Sequence, residues 1–169
     1  MDEKEHDMAE GQKDLLVSWL NDAYAMEKSL INVMEKRAKD GTHPEVQSRY
    51  RQHLEETRRH AQMVEGCVSR LGETTSTFKN VMGTLFGKQQ TLGAGLFKDE
   101  QVKNALSDYA AENLEIASYK ALITAAEDYG DQEIASVCRR IMEEEQRMAE
   151  WLSEHSLPIT VKNVFRQAA

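Results

Sequence analysis

Two carboxylates, Glu112 and Glu115, stand three residues apart in the stretch Tyr109-Ala-Ala-Glu-Asn-Leu-Glu-Ile-Ala-Ser-Tyr119. That spacing puts them on one face of a helix. The same face carries Ile116, Tyr119 and Ile123, which belong in a core. Acids normally stay on the outer face of a helix in water. Two on the inner face are costly unless something compensates, and a bound cation is a good compensator. The anomaly recurs along the chain. Glu27 interrupts the apolar stripe Leu16, Leu20, Ala23, Leu30, Ile31 and Met34, and Glu145 interrupts Ile134, Cys138, Ile141, Met148, Ala149 and Leu152. Glu56 and His60, one turn apart, fall near the apolar side marked by Tyr50, Leu54, Val64, Val68 and Leu71, with His53 on the same edge.

The elements that must position these groups are long helices. The 169 residues suit one domain, and two prolines and nine glycines leave room for uninterrupted helix. Residues 1–12 are charged and aperiodic and are expected to form a flexible N-terminal tail. A first helix is predicted from an Asp14 cap to about Lys39, stopped by Asp40-Gly-Thr-His-Pro44. A second runs from Pro44 to Leu71 and ends at Gly72. Residues 72–98 hold five of the glycines and form a long crossover, within which Phe78, Val81, Met82, Leu85 and Phe86 predict a short extra helix. The third helix spans about Asp99–Tyr129 and the fourth about Asp131–Glu154. Residues 156–169, with Pro158 and scattered apolar side chains, are expected to pack on the bundle or on a partner. The domain proper is then 13–155, an all-α four-helix bundle with one long crossover.

In an antiparallel hairpin, residues equidistant from the turn lie level. Glu27 and Glu56, 29 residues apart, straddle the turn at 40–43; Glu115 and Glu145, 30 apart, straddle Gly130. Four level carboxylates facing one core repel one another unless cations lie between them. Carboxylate oxygens suit iron, manganese and other divalent ions, and a pair of such ions at the centre of a bundle fits this pattern. Glu112 and His60 are the available extra ligands. The inward acids Glu56 and Glu145 have no histidine three residues on: position 59 is Arg59 and position 148 is Met148. The expected site is therefore carboxylate-heavy and nearly free of histidine, with two bridging acids and a preference for the higher oxidation state of iron. Tyr119, one turn from Glu115, reads as a packing residue or a hydrogen-bond donor to a ligand carboxylate.

Four segments carry a family resemblance: Trp19-Leu-Asn-Asp-Ala-Tyr-Ala-Met-Glu-Lys28, Gln52-His-Leu-Glu-Glu-Thr57, Glu112-Asn-Leu-Glu-Ile-Ala-Ser-Tyr119 and Glu144-Glu-Gln-Arg-Met-Ala-Glu-Trp-Leu152. As a set, with their turns, they cover residues 14–155 and resemble the bacterial YciE/YciF-type ferritin-like family, its YciE branch above all. The resemblance implies a rubrerythrin-related bundle, an association with stress response, and a dinuclear metal centre on Glu27, Glu56, Glu115 and Glu145 with Glu112 nearby or switching. Arg59 and Met148 stand where related rubrerythrins carry histidine ligands.

The expected cofactors are two divalent metal ions, iron foremost, with manganese or zinc as alternatives. The chemistry expected is oxidation of Fe(II), or reduction of peroxide or O₂, with such a small oxidant as partner. The alternative is a stress-related scaffold or binding module whose metal is structural or vestigial. The net charge of −8 argues against bulk-charge binding of nucleic acid. Arg49, Arg51, Arg58 and Arg59 read as a solvated helix face. Cys67 and Cys138 fit no metal spacing and are expected to be buried, reduced thiols. No apolar signal core and no long apolar run occurs, so a cytoplasmic location without a membrane partner is expected, as is a homodimer.

Overall fold

A computed structural model describes residues 3–40, 43–75 and 99–167. These form α1 (Glu3–Asp40), α2 (Pro44–Arg70), α3 (Glu100–Tyr129), α4 (Gln132–Trp151), a π-helical turn (Leu152–Ser156) and α5 (Leu157–Gln167). The first four make a four-helix bundle in which α1 pairs with α2, α3 pairs with α4, and the two hairpins pack through α1 on α3 and α2 on α4. The crossover and its expected short helix fall largely on residues 76–98, which lie outside the described residues. Among the described residues, no helix is long and apolar enough to cross a membrane.

Local chemistry explains most helix ends. Pro44 sits in the first turn of α2, where its missing N–H is no loss. Asp99 caps α3 by accepting from the N–H groups of Gln101 and Val102 at 2.8 and 3.1 Å. Gly130 closes α3 with φ +89°, a left-handed conformation that glycine adopts without strain. Asp131 then caps α4 through the N–H groups of Glu133 and Ile134, both at 3.1 Å.

Two helix ends differ from expectation. Asp14 is not a cap: residues 3–12 continue α1 outward as its first turns, exposed from Asp7 to Gln12. At the other end the chain does not leave the helical path at Glu154. The chain stays helical to Gln167 by loosening into the π turn, where the N–H of Leu157 reaches back five residues to the carbonyl of Leu152. Pro158 supplies the reason, because its ring crowds the carbonyl four residues earlier and it offers no N–H. The extension thus becomes α5, whose Ile159 packs on the bundle while Phe165 is 80% exposed.

The core is apolar at both ends and polar in the middle. One apolar cluster joins Leu16, Leu20 and Leu30 of α1 to Val64 and Val68 of α2, Leu122 and Ala126 of α3, and Ile134, Cys138 and Ile141 of α4. A second gathers Met34, Tyr50, Leu54, Met148 and Leu152 at the other end. Cys67 and Cys138 are buried free thiols in the first cluster, where burial pushes them up to about 11 and about 12. Between the two clusters lies a layer of ionisable residues.

Beside that layer, Asp108 of α3 is 3% exposed and joins three helices. It accepts from Arg37 Nε of α1 at 2.7 Å and from the Tyr50 hydroxyl of α2 at 2.7 Å. Removing the cation would leave a buried carboxylate with one neutral donor. Arg37→Ala should therefore cost about 3 kcal/mol, and Tyr50→Phe, which removes a single hydrogen bond, about 1 kcal/mol. Denaturant unfolding of the two variants measures both losses, and equal losses would mean that the ion pair contributes no more than the hydroxyl.

Candidate metal centre

The ionisable layer is built from side chains on all four long helices. Glu27 (α1), His53 and His60 (α2), Glu112 and Glu115 (α3) and Glu145 (α4) are each at most 1% exposed. His53 and His60 are seven residues apart, two turns of helix, and so both face inward. Glu112 and Glu115 share the inner face of α3, as their spacing requires.

Glu145 lies between the two imidazoles. Its Oε1 is 2.7 Å from His60 Nδ1, and its Oε2 is 3.4 Å from His53 Nε2. Glu112 Oε1 approaches His53 Nε2 at 3.2 Å, and Glu27 Oε2 approaches His60 Nδ1 at 3.8 Å. Among the described residues, two groups thus present convergent ligand atoms: Glu27, His60 and Glu145, and His53, Glu112 and Glu145. The atoms are close without satisfying one another. Glu27 Oε2, His60 Nδ1, both oxygens of Glu112 and of Glu145, and Glu115 Oε2 are buried with no well-formed hydrogen bond. Buried carboxylate and imidazole atoms that converge without well-formed partners are what a cation site presents, and the mixed imidazole and carboxylate donors suit iron, manganese or zinc.

Each imidazole is held from outside as well. His60 Nε2 is 2.9 Å from Glu144 Oε2, and His53 Nδ1 is 3.0 Å from Glu56 Oε2. Arg59 donates to Glu144; Arg49 and Gln52 donate to Glu56 at 3.0 and 2.9 Å. Arg58 pairs with Glu55 and Glu35, so Arg49, Arg58 and Arg59 of the basic cluster on α2 are all engaged by acids. The Tyr119 hydroxyl donates to Glu27.

The charges are strongly perturbed. Burial, then the charge of Glu145, pushes Glu27 up to about 8. Burial raises Glu112 to about 7 although neighbouring His53 pulls it down. Burial and the charges of Glu145, Glu27 and Glu112 raise Glu115. Burial also opposes the ionised form of Glu145, but adjacent His60 and His53 outweigh it and hold Glu145 low. Burial disfavours both imidazolium ions, yet the carboxylates win: His60 rises to about 9 beside Glu145, and His53 rises through Glu112 and Glu56. For Glu56, burial is outweighed by His53 and Arg49, which bring it to about 2.

Against the sequence expectations, the structure brings Glu27, Glu112, Glu115, Glu145 and His60 into one layer. It does not bring Glu56 there. That carboxylate is 16% exposed and turned to the outer side of His53. The expectation of a nearly histidine-free layer is corrected, because His53 and His60 both face its centre. Tyr119 bonds Glu27 rather than Glu115. Arg59 pairs with Glu144 at the surface, and Met148 lies in the second apolar cluster. His53 was the inward residue most easily missed; its heptad spacing from His60 was the available signal.

A family described as a domain of unknown function, DUF892, matches residues 11–164. The chain is 28% identical over 141 residues to Protein YciF of Escherichia coli, covering 79% of this chain and 83% of that protein. The structure of that protein, described as the E. coli stress protein YciF, aligns with a TM-score of 0.73 at 22% identity, over 90% of this chain and 96% of the other. A Xanthomonas campestris protein aligns with a TM-score of 0.79 at 38% identity, over 94% and 99% of the two chains. Desulfovibrio desulfuricans bacterioferritin, described with its diiron site, aligns with a TM-score of 0.71 at 22% identity, over 92% and 84%. The bundle is therefore ferritin-like. The resemblance seen in the sequence holds for YciF-like proteins as a group rather than for the YciE branch.

The electrostatics make a prediction for the metal-free protein. The raised carboxyls favour folding below their unfolded values and lose that contribution as pH rises through about 7 and about 8. The raised imidazoles act in the same sense, their contribution being lost as pH rises through about 9 for His60. Glu56 and Glu145, held low, oppose this only below the ordinary carboxylate range. The melting temperature of metal-free protein should fall steadily from about pH 5 to about pH 9. Added Mn(II) or Zn(II) should raise it most at the alkaline end, where fewer protons compete for the ligands. Calorimetry in metal-free buffer checks this; a profile that is flat or rises with pH would contradict it.

Proposed function

The chain belongs to the DUF892 family, and from that premise and the convergent buried ligands we propose that it is a YciF-like, stress-associated protein that holds a pair of divalent metal ions, iron foremost. The observation that supports this best is Glu145, whose two oxygens face two different histidine and carboxylate groups at once. Glu27 and His60 would complete one position, His53 and Glu112 the other, and Glu115 offers a buried oxygen with no partner. Manganese or zinc would fit the same donors.

Iron held there would supply one-electron chemistry toward O₂ or peroxide, and oxidation of Fe(II) is the activity we propose. The residues of the chain prepare that chemistry. Leu20, Leu30, Val64 and Ile141 on one side and Met34, Leu54, Met148 and Leu152 on the other seal the layer from water. The Tyr119 hydroxyl orients Glu27, and the outer carboxylates engage the two imidazole rings. A scaffold reading with a structural metal shares this architecture and differs in redox response. The proposal includes the homodimer, for which exposed Leu15 and Trp19 on α1 offer an apolar surface.

The test is anaerobic titration with Fe(II), read by elemental analysis of desalted protein. Wild type should retain two ions per chain. Glu145→Ala should retain none tightly, because it removes a ligand from both positions, whereas Glu27→Ala and Glu112→Ala should each retain one. Two ions retained by Glu145→Ala would sink this assignment. Loss of ferrous iron to a ferric form on admitting air would support the oxidising activity; stable ferrous protein would favour the scaffold.

A further inference from the structure

The two histidines of the layer face inward through opposite ring nitrogens, His53 through Nε2 and His60 through Nδ1. The reason lies on the outer side. A carboxylate only accepts hydrogen bonds, so without metal both nitrogens of each ring face acceptors and carry a hydrogen; with a cation on the inner side, the hydrogen that stays is the one that meets Glu56 or Glu144. Glu144 meets His60 at Nε2, 2.9 Å away, and Glu56 meets His53 at Nδ1, 3.0 Å away. The two imidazole side chains are 2% and 0% exposed, and the outer carboxylates, at 16% and 15%, stand at the rim.

The outer carboxylates are themselves fixed. Arg59 holds Glu144, while Arg49 and Gln52 hold Glu56. The two arrangements are built differently. Glu56 lies one turn from His53 on the same helix, whereas Glu144 and Glu145 are consecutive residues of α4 that meet His60 at its two nitrogens. Consecutive helix positions point about 100° apart, so one turn of α4 reaches both sides of a single ring on α2.

We propose that Glu144 and Glu56 are positioning residues that fix the two imidazoles in opposite tautomers and thereby turn one bare nitrogen of each toward the metal pair. This rests on the metal reading given above. It assigns Glu56, which lies at a ligand position in the sequence, to the support of a ligand. A metal-bound imidazole whose other N–H is held by a carboxylate is oriented and made a stronger donor, and losing such a partner typically weakens metal binding about ten- to a hundredfold.

The probe is Co(II), whose paramagnetism shifts exchangeable imidazole N–H signals away from the rest of the proton spectrum. Wild type should bind two Co(II) per chain and show two such signals, from His60 Nε2–H and His53 Nδ1–H. Glu144→Leu should weaken one Co(II) site about ten- to a hundredfold and erase the His60 signal by opening it to solvent exchange. Glu56→Leu should do the same to the other site and the other signal. Glu144→Gln keeps the shape and an accepting oxygen, so it should retain its signal and lose less affinity. Melting of the metal-free variants separates folding from binding. If the Leu variants keep wild-type affinity and both signals, or lose only thermal stability, the positioning role is wrong. A drop in the number of oxygen ligands seen by X-ray absorption in Glu56→Leu would make Glu56 a ligand and overturn its assignment. Wild type that binds no Co(II) at all would remove the metal reading and this proposal with it.

Discussion

Charge balance in one buried layer governs this bundle. Glu27, Glu112, Glu115 and Glu145 are withdrawn from water at the middle of the core, and isolated ionised carboxylates there are prohibitively costly. Four carboxylates carry four negative charges. Two imidazolium rings supply two positive charges, so without metal two carboxyl groups must stay protonated for neutrality. Burial first, and then the charge of Glu145, raises Glu27, Glu112 and Glu115, so the protons stay on this group. Two divalent cations with neutral imidazoles supply four charges and close the balance. Protons and metal are thus alternative occupants of the same field.

The surrounding fold keeps the layer away from bulk water. The two apolar clusters close the layer above and below, and the hairpin turns keep the four ligand-bearing helices in register. The Asp108 junction ties α1, α2 and α3 together on one side of the layer. At the rim, Glu56 with Arg49 and Glu144 with Arg59 are locally neutral pairs. They reach the imidazoles without adding net charge to the interior.

Helix number, pairing and the inward acids were legible because period-3.6 patterns and turn residues are local signals. Mirroring each hairpin about its turn singled out Glu27, Glu115 and Glu145, which the structure buries in one layer. The same procedure chose Glu56 over His53 because it searched for acids. In the middle of α2 the buried positions are His53, Leu54, Thr57, His60, Ala61 and Val64, and Glu56 falls on the flank of that stripe beside Gln52. An acid near an apolar edge and an acid on the apolar face look alike until neighbouring helices define the face. The helical course of residues 3–12 was hidden for another reason, since a segment without an apolar stripe, exposed from Asp7 to Gln12, leaves no periodicity to read. Pro158 misled in the opposite direction: proline usually ends a helix, and here one π turn absorbs it.

Two imidazoles change the redox character that a carboxylate-only layer would have. An anionic donor favours the more highly charged ion, so a layer made only of acids would hold ferric iron strongly. Each imidazole puts a neutral donor in one position and weakens that bias. The outer carboxylates return part of the lost basicity through the ring, while their own charge is countered by arginine at the rim. If two divalent ions matched the four interior carboxylates, as proposed, removing one electron from each would leave the layer with two uncompensated positive charges. In a sealed, low-dielectric interior that excess is far more costly than in water. Electron loss from such a centre would call for a compensating charge, and the apolar clusters on both sides of the layer leave little room for one to enter.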